Sequence, residues 1–366
     1  MSQQTEKVNE AIQKLKNKDF NVYFFTMDTH GNPTASVNTI YTWAKYLKEA
    51  GYNPVILHEK KEFTKPEKWM GATEYTEIEH KSADQKDVSM FPQDFLVIPE
   101  MFSNVMESTK TMPIKRIVLC QSYDYILEFI KPGESWLNYN ITDCVTTCES
   151  QKKYLQYLFP QVNVNVVPIS IPEYFTDSEK PKQPIIAIHT REPRSAMKIM
   201  KTFFLRFPQY RWVTFRDMRG LKREDFAKGL KECCMAIWDD KQSGFGTFPL
   251  EAFKSKTVLI GTRPTVAPDW YDEKAGVWVN ETIDIPDAIG KTLSAWLEDL
   301  LPEELLTTPD KYQDTYKAED EKKAVLQYFE NQVNTRISEF EATIVNMESQ
   351  IQEQKINNPD VINLFD

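Results

Sequence analysis

Short apolar runs alternate along this chain with stretches in which apolar residues recur every three or four positions. That is the rhythm of strands buried on both faces, each followed by an amphipathic helix. Val22–Thr26 predicts a strand, Asp28-Thr-His-Gly-Asn-Pro33 a turn, and Ser36–Ala50 a helix with Val37, Ile40, Tyr41, Ala44 and Leu47 on one face. Gly51 stands where a helix C-terminus favours a left-handed residue, and Pro54–His58 predicts the next strand. Strand, helix and strand make the βαβ unit of a parallel sheet. A polar helix over Gln4–Lys18 precedes it.

The rhythm continues through strands at Phe95–Ile98, Ile117–Cys120 and Cys144–Thr147, a helix over Ser150–Leu158 and a strand at Val164–Val167. Pro168 and Pro172 then punctuate a linker near residues 169–182. A second series has strands at Ile185–Ile188, Arg211–Phe215, Met235–Trp238, Thr257–Ile260 and Val277–Val279. Helices over Ala196–Phe207, Glu224–Glu232, Pro249–Lys254 and Asp287–Leu297 are interleaved with them. The expectation is an α/β protein of two Rossmann-like halves, residues 1–172 and 173–300, with a helical extension over 301–366. In that extension Leu326, Phe329, Val333, Ile337, Phe340, Ile344, Met347 and Ile351 form an apolar stripe. The stripe either packs along the chain's own domains or drives self-association through the 318–356 helix.

The length of 366 residues suits two cores, and 41% hydrophobic with 12% aromatic residues can fill them. A net charge of −10 gives no global attraction to nucleic acid, although residues 110–116 and 216–223 are locally basic. The five cysteines (Cys120, Cys144, Cys148, Cys233, Cys234) lack a CxxC pair and read as reduced, buried thiols. No apolar stretch follows Met1 as a signal peptide would require, and none is long enough to span a membrane, so a cytoplasmic protein is expected. The mixed charges of Glu6–Lys18 disfavour a membrane-surface helix.

The segment Ser243-Gly-Phe-Gly-Thr-Phe-Pro-Leu-Glu-Ala-Phe253 sets two glycines before a helix start, where free N–H groups and a positive dipole end bind phosphate. Glu251 is placed to take hydroxyls of a ribose or sugar. This segment resembles the signature of the retaining glycosyltransferases of the group 1, family 4 type, which have the GT-B fold. There a glutamate, seven residues and a second glutamate frame a Gly-Phe-Gly loop. Glu251 matches the second glutamate; Ser243 stands at the first. Ile186–Lys198 lies where the family has a strand followed by an arginine and a lysine that clamp the donor diphosphate, and Arg191, Arg194 and Lys198 are the matching cations. Asp143–Tyr154 and Val166–Phe175 resemble the last strands before the family's linker, and His30-Gly31-Asn32 its glycine-rich turn facing donor and acceptor.

The resemblance covers Val22–Leu297 and implies two Rossmann-like domains facing a central cleft. It also implies a nucleoside-diphosphate sugar as co-substrate, UDP-sugar favoured, no metal or other cofactor, and transfer with retention. In that reading Glu251, His30, Arg191 and Lys198 are catalytic. The donor site comprises Arg191, Arg194, Lys198, Ser243, Gly244, Phe245, Gly246, Thr247 and Glu251, with His30, Gly31 and Asn32 on the acceptor side. His58, His80 and His189 show no metal-ligand spacing and carry no assigned role. Serine in place of an acid at position 243 points to an unusual donor sugar or to an inactive binding or scaffold protein. Asp239 and Asp240, just upstream, either stand in for that acid or end a strand in solvent.

The resemblance implies transfer of a hexose or pentose to a glycan or small-molecule acceptor. The C-terminal residues Val361, Ile362, Leu364 and Phe365 are similar to peptides that tether viral replication proteins to a sliding clamp. That similarity supports an alternative acceptor, a hydroxymethylated pyrimidine in phage DNA, which would act in the host cytoplasm. The absence of G-x-G-x-x-G after the first strand argues against a dehydrogenase.

Overall fold

The computed structural model describes residues 3–28, 34–69, 75–84, 88–176, 181–190, 192–221, 223–241 and 243–357. Its first half runs α1 (Gln3–Lys16), β1 (Asn21–Phe25), α2 (Ala35–Glu49), β2 (Asn53–His58), α3 (Pro66–Trp69), β3 (Glu79–Ser82) and β4 (Phe95–Pro99). It continues with α4 (Ser103–Ser108), β5 (Lys115–Cys120), α5 (Tyr123–Phe129), β6 (Asp143–Thr146), α6 (Glu149–Leu158) and β7 (Asn163–Val166). The seven strands form one sheet in the order β3-β2-β1-β4-β5-β6-β7, every pair parallel.

Successive side chains of a strand point to opposite faces, and β1 shows the result. Val22 and Phe24 join the cluster beneath α1 and α2, while Tyr23 and Phe25 join the cluster on the other face with Met106 and Ile126. Both faces are covered, which is why the strand reads as an uninterrupted apolar run.

The second half begins after the linker with β8 (Gln183–Thr190), α7 (Pro193–Arg206), β9 (Thr214–Asp217), α8 (Arg223–Glu232) and β10 (Cys233–Asp239). It continues through α9 (Thr247–Lys254), β11 (Val258–Thr262), β12 (Val277–Val279), α10 (Ile285–Leu297) and α11 (Glu303–Thr307) to α12 (Ala318–Asn357). Its five strands are also all parallel, in the order β12-β11-β10-β8-β9. The order reverses between β8 and β10 here, and between β1 and β4 in the first sheet. Each is a topological switch point, where a crevice opens beyond the carboxyl ends of the strands.

Two differences from the sequence reading have physical causes. Strand β3, Glu-His-Lys-Ser, has no apolar run; it is recruited by backbone pairing with β2 at the sheet edge. Helices α4, α5 and α11 were unread because five to seven residues are too few to show a helical period. The long helix packs its stripe within the chain, one of the two alternatives that the sequence left open. Val325, Tyr328, Phe329 and Phe340 are buried in the cluster of the first sheet, with Val333, Ile337 and Ile344 packed against it. Residues 324–344 of the extension thus pack on the first half. The Phe329 ring lies 5.9 Å from Phe24 of β1. Glu321, at the start of α12, accepts bonds from Trp43 Nε1 at 3.0 Å and from the Ser170 amide and hydroxyl at 3.1 and 2.5 Å, pinning the extension to α2 and to the linker.

The tag Val361, Ile362, Leu364 and Phe365 lies outside the described residues. Among the described residues no helix is long and apolar enough to cross a membrane, and all five cysteines are free and buried.

Because Phe329 is 1% exposed, Phe329→Ala is expected to cost about 3–5 kcal/mol, read from urea unfolding. Val345→Ala, at an exposed position of the same helix, serves as the control. Equal midpoints for the two variants would remove α12 from the core.

Candidate functional site

The carboxyl ends of the two sheets face each other across a cleft, and the cavity there draws residues from both halves. Ser36 and Thr39 of α2, Gln121 and Ser122 after β5, and Thr147 after β6 line one side. His189 of β8, Trp238 of β10, Asp240, and the run Ser243–Phe248 line the other. The second set sits at the switch point between β8 and β10.

The glycine loop is held from three directions. Gly246 has φ +69°, and a Cβ there would meet the Trp238 ring at 3.0 Å. Phe245 is turned inward, with its ring 5.6 Å from Tyr316 and its carbonyl accepting from Trp270 Nε1 at 2.6 Å. Gly244 meets the opposite half: a Cβ would stand 2.2 Å from Gln151 Nε2 and 2.5 Å from the Gln121 carbonyl oxygen. Gln151 is itself fixed, accepting from the Thr146 hydroxyl at 2.8 Å and donating to the Gln121 carbonyl at 3.4 Å. A further tie crosses the cleft where the Asp269 carboxylate accepts from the Glu149 and Ser150 amides at 2.7 and 3.1 Å. It thereby caps α6 of the first half from the second half. Behind the loop α9 begins at Thr247, with no side chain capping its N-terminus.

The structure brings Ser243, Gly244, Phe245, Gly246 and Thr247 together at this cavity. Glu251 lies one turn into α9, 1% exposed, with one oxygen paired to Arg223 at 2.7 Å. The Arg223 guanidinium also lies 5.0 Å over the Phe175 ring. Arg194 and Lys198 are exposed on α7 and do not line the cavity. His30, Gly31, Asn32 and Arg191 lie outside the described residues.

The two acids beside Ser243 are not free strand-end carboxylates. Asp239 accepts from the Ser195 and Thr282 hydroxyls at 2.6 and 2.8 Å. Asp240 lines the cavity and accepts from both the Ser243 amide and hydroxyl, at 3.0 and 2.8 Å. An acid thus stands beside the position where the sequence has serine.

Two residues escaped sequence reasoning. His189 lines the cavity although its spacing to the other histidines carries no signal. Glu100 follows β4 and is 5% exposed, its carboxylate accepting from the Ser122 amide at 2.7 Å, directly behind the first half's cavity wall. Burial pushes the Glu100 carboxyl up to about 7 against the pull of backbone N–H groups on the ionised form. A second cavity, between Pro168–Ile169 and residues 311–321, holds none of the sequence-predicted site residues.

Comparison with solved structures finds the same architecture. TarM of S. aureus superposes with a TM-score of 0.61 at 8% identity, covering 86% of this chain and 98% of TarM. The sucrose-phosphate synthase of Thermosynechococcus elongatus gives 0.59 at 11% identity over 86% of this chain and 99% of its own. The chain has the GT-B fold. HepE of Anabaena, solved in complex with UDP, gives 0.60 at 8% identity over 85% of this chain and 100% of HepE. By sequence, the alpha-1,6-glucosyltransferase of Actinobacillus pleuropneumoniae serotype 7 (strain AP76) is 24% identical over 209 residues. That match takes in 56% of this chain and spans 60% of the relative. No family model matches the chain.

The Gly244 contact predicts that Gly244→Ala forces the halves apart. The variant is expected to expand detectably in small-angle scattering, and an unchanged radius would sink the idea. For Glu100, a carboxyl raised from 4.5 to about 7 on folding contributes stability that is full below pH 4.5 and lost as pH rises through 7. Relative to wild type, Glu100→Gln is therefore expected to gain about 3 kcal/mol between those limits. Denaturation curves in parallel at both ends of the range test this, and a constant difference between the two proteins would refute it.

Proposed function

We propose that the chain is a glycosyltransferase that moves a sugar, a hexose above a pentose, from a nucleoside diphosphate, UDP above the other bases. The acceptor is a hydroxyl of a glycan or small molecule, and anomeric configuration is retained. The observation that carries this reading is the glycine loop and uncapped N-terminus of α9, opening on a cavity walled by both sheets. An anion at that helix end meets backbone N–H groups and the positive end of the dipole without requiring a charged side chain. The chemistry suits the place, because charge accumulates on the leaving diphosphate as the glycosidic bond breaks, and a fixed dipole already aimed there stabilises it.

Glu251 takes the ribose hydroxyls in this reading. Its pairing with Arg223 gives this buried carboxyl group a charge partner. Asp240, linked to Ser243, supplies the sugar-facing carboxylate that the serine lacks. Arg191 supplies the cationic side of the diphosphate site and His30, Gly31 and Asn32 face the acceptor, whereas Arg194 and Lys198, exposed on α7, stand outside the cavity lining. These assignments rest on the resemblance of their segments. The hexose and UDP preferences draw on the glucosyltransferase relative and on HepE bound to UDP. The cleft design holds donor and acceptor in register, so positioning and leaving-group stabilisation carry the rate.

The experiment is a thermal-shift screen against uridine, guanosine, adenosine and thymidine diphosphates and their sugars. A ligand at about one hundred times its dissociation constant adds roughly 2.7 kcal/mol to the folded state. A selective shift with uridine diphosphate is expected, with Glu251→Ala reducing it and abolishing transfer from the matching donor sugar. If no nucleotide shifts the melting temperature, the donor reading fails.

A further inference from the structure

His189 closes β8 at the switch point, and its surroundings constrain its protonation more tightly than the sequence indicates. Its ring stacks on Phe248, centroids 4.9 Å apart at 23°, and stands edge-on to Phe226 at 6.5 Å. Phe248 is the second residue of α9, so the imidazole lies beside the positive end of that helix and borders the cavity with Gly244–Thr247. Nδ1 is buried and has no hydrogen-bond partner among the described residues. A proton on Nδ1 would bury an N–H group without an acceptor, and an imidazolium would do the same with a charge added. The remaining form carries its single proton on Nε2.

The charged neighbours do not overturn this. Glu251 on α9, Asp240 after β10 and Asp217 at the end of β9 favour the charged ring, and Arg219 in the turn after β9 opposes it. Burial outweighs them and holds the imidazole below its ordinary value.

We propose that His189 is a diphosphate-binding residue, donating a neutral Nε2–H hydrogen bond to the β-phosphate of the sugar donor at the N-terminus of α9. The proposal rests on the glycosyltransferase reading for the identity of the donor, but its ligand chemistry, a diphosphate, is testable apart from it. An acceptor beside a positive helix end is preferentially anionic. The donor is neutral there because burial outweighs the pull of Glu251, Asp240 and Asp217 toward the charged ring. The neutral form also sets the pH behaviour. A cationic histidine would lose its contribution as pH rises above about 6.5, whereas a neutral donor keeps it.

The test is calorimetric titration of the full chain with inorganic pyrophosphate, UDP and UMP at about pH 6.5, 7.5 and 8.5, spanning the ordinary histidine range and above. Wild type is compared with His189→Ala, His189→Phe and His189→Gln. The phenylalanine variant keeps the stack on Phe248 and loses the donor; the glutamine variant restores an N–H. Alanine and phenylalanine are expected to weaken pyrophosphate and UDP about three- to ten-fold, the worth of one neutral hydrogen bond. Glutamine should recover most of that loss, UMP should be nearly unaffected, and the wild-type to variant ratio should stay constant with pH.

Unchanged affinities in both the alanine and phenylalanine variants would overturn the proposal. So would a ratio converging on one as pH rises, which marks a cationic ring, or an equal loss for UMP. Wild-type binding of pyrophosphate with this signature, but of no nucleoside diphosphate, would uphold His189 and defeat the glycosyltransferase reading. Binding of UDP without the signature would do the reverse, and binding of neither would end both.

Discussion

Gly244 touches the opposite half of the molecule through its backbone alone, with the Gln121 carbonyl and the Gln151 amide where a side chain would stand. That contact sets how closely the two sheets can approach. It depends on Gln151 being held by Thr146 and Gln121, and on the glycine loop being anchored from behind by Trp238 and Trp270. Asp269 reinforces the same apposition by supplying the first amides of α6 with an acceptor from across the cleft. A helix whose first N–H groups are satisfied by another domain loses that cap when the domains part, so closure and local helix stability are coupled.

Within this frame the site gathers its polar groups at the ends of parallel strands, where backbone pairing stops and side chains can face a cavity. Asp239 joins β10 to α7 through Ser195 and to the residues after β12 through Thr282. Asp240, the next residue, turns to Ser243 and the cavity. Of these neighbouring acids, one ties strand and helix together and the other borders the cavity. Glu100 and His189 share one logic, buried behind or beside the cavity wall and held toward neutrality by desolvation.

The long C-terminal helix belongs physically to the first half although it follows the second in sequence. Glu321 anchors its start between Trp43 and Ser170, and Phe329 reaches Phe24 in the central strand. The chain therefore crosses between the halves twice, at the linker and before α12. The Ile171 amide donates to the Tyr316 carbonyl at 2.9 Å, tying the two crossings together.

The repeat of apolar runs and helical stripes determined by itself that the chain would form two parallel α/β halves with a glycine loop before a helix, because such elements are specified by contacts between near neighbours. Gly244 and Gly246 were legible for the same reason, as glycines at a turn. Tertiary structure alone decided the rest. Strand order, and with it the switch point, depends on pairings between residues far apart in sequence, such as Ala236 with Ala187. β3 is a strand only because β2 presents an edge to it. The stripe on α12 fits its own domain or another copy equally well until Val325 and Phe329 meet the first sheet. His189 and Glu100 look like ordinary polar residues at strand ends. Their protonation follows from what buries them, and that is contributed by segments no local pattern connects.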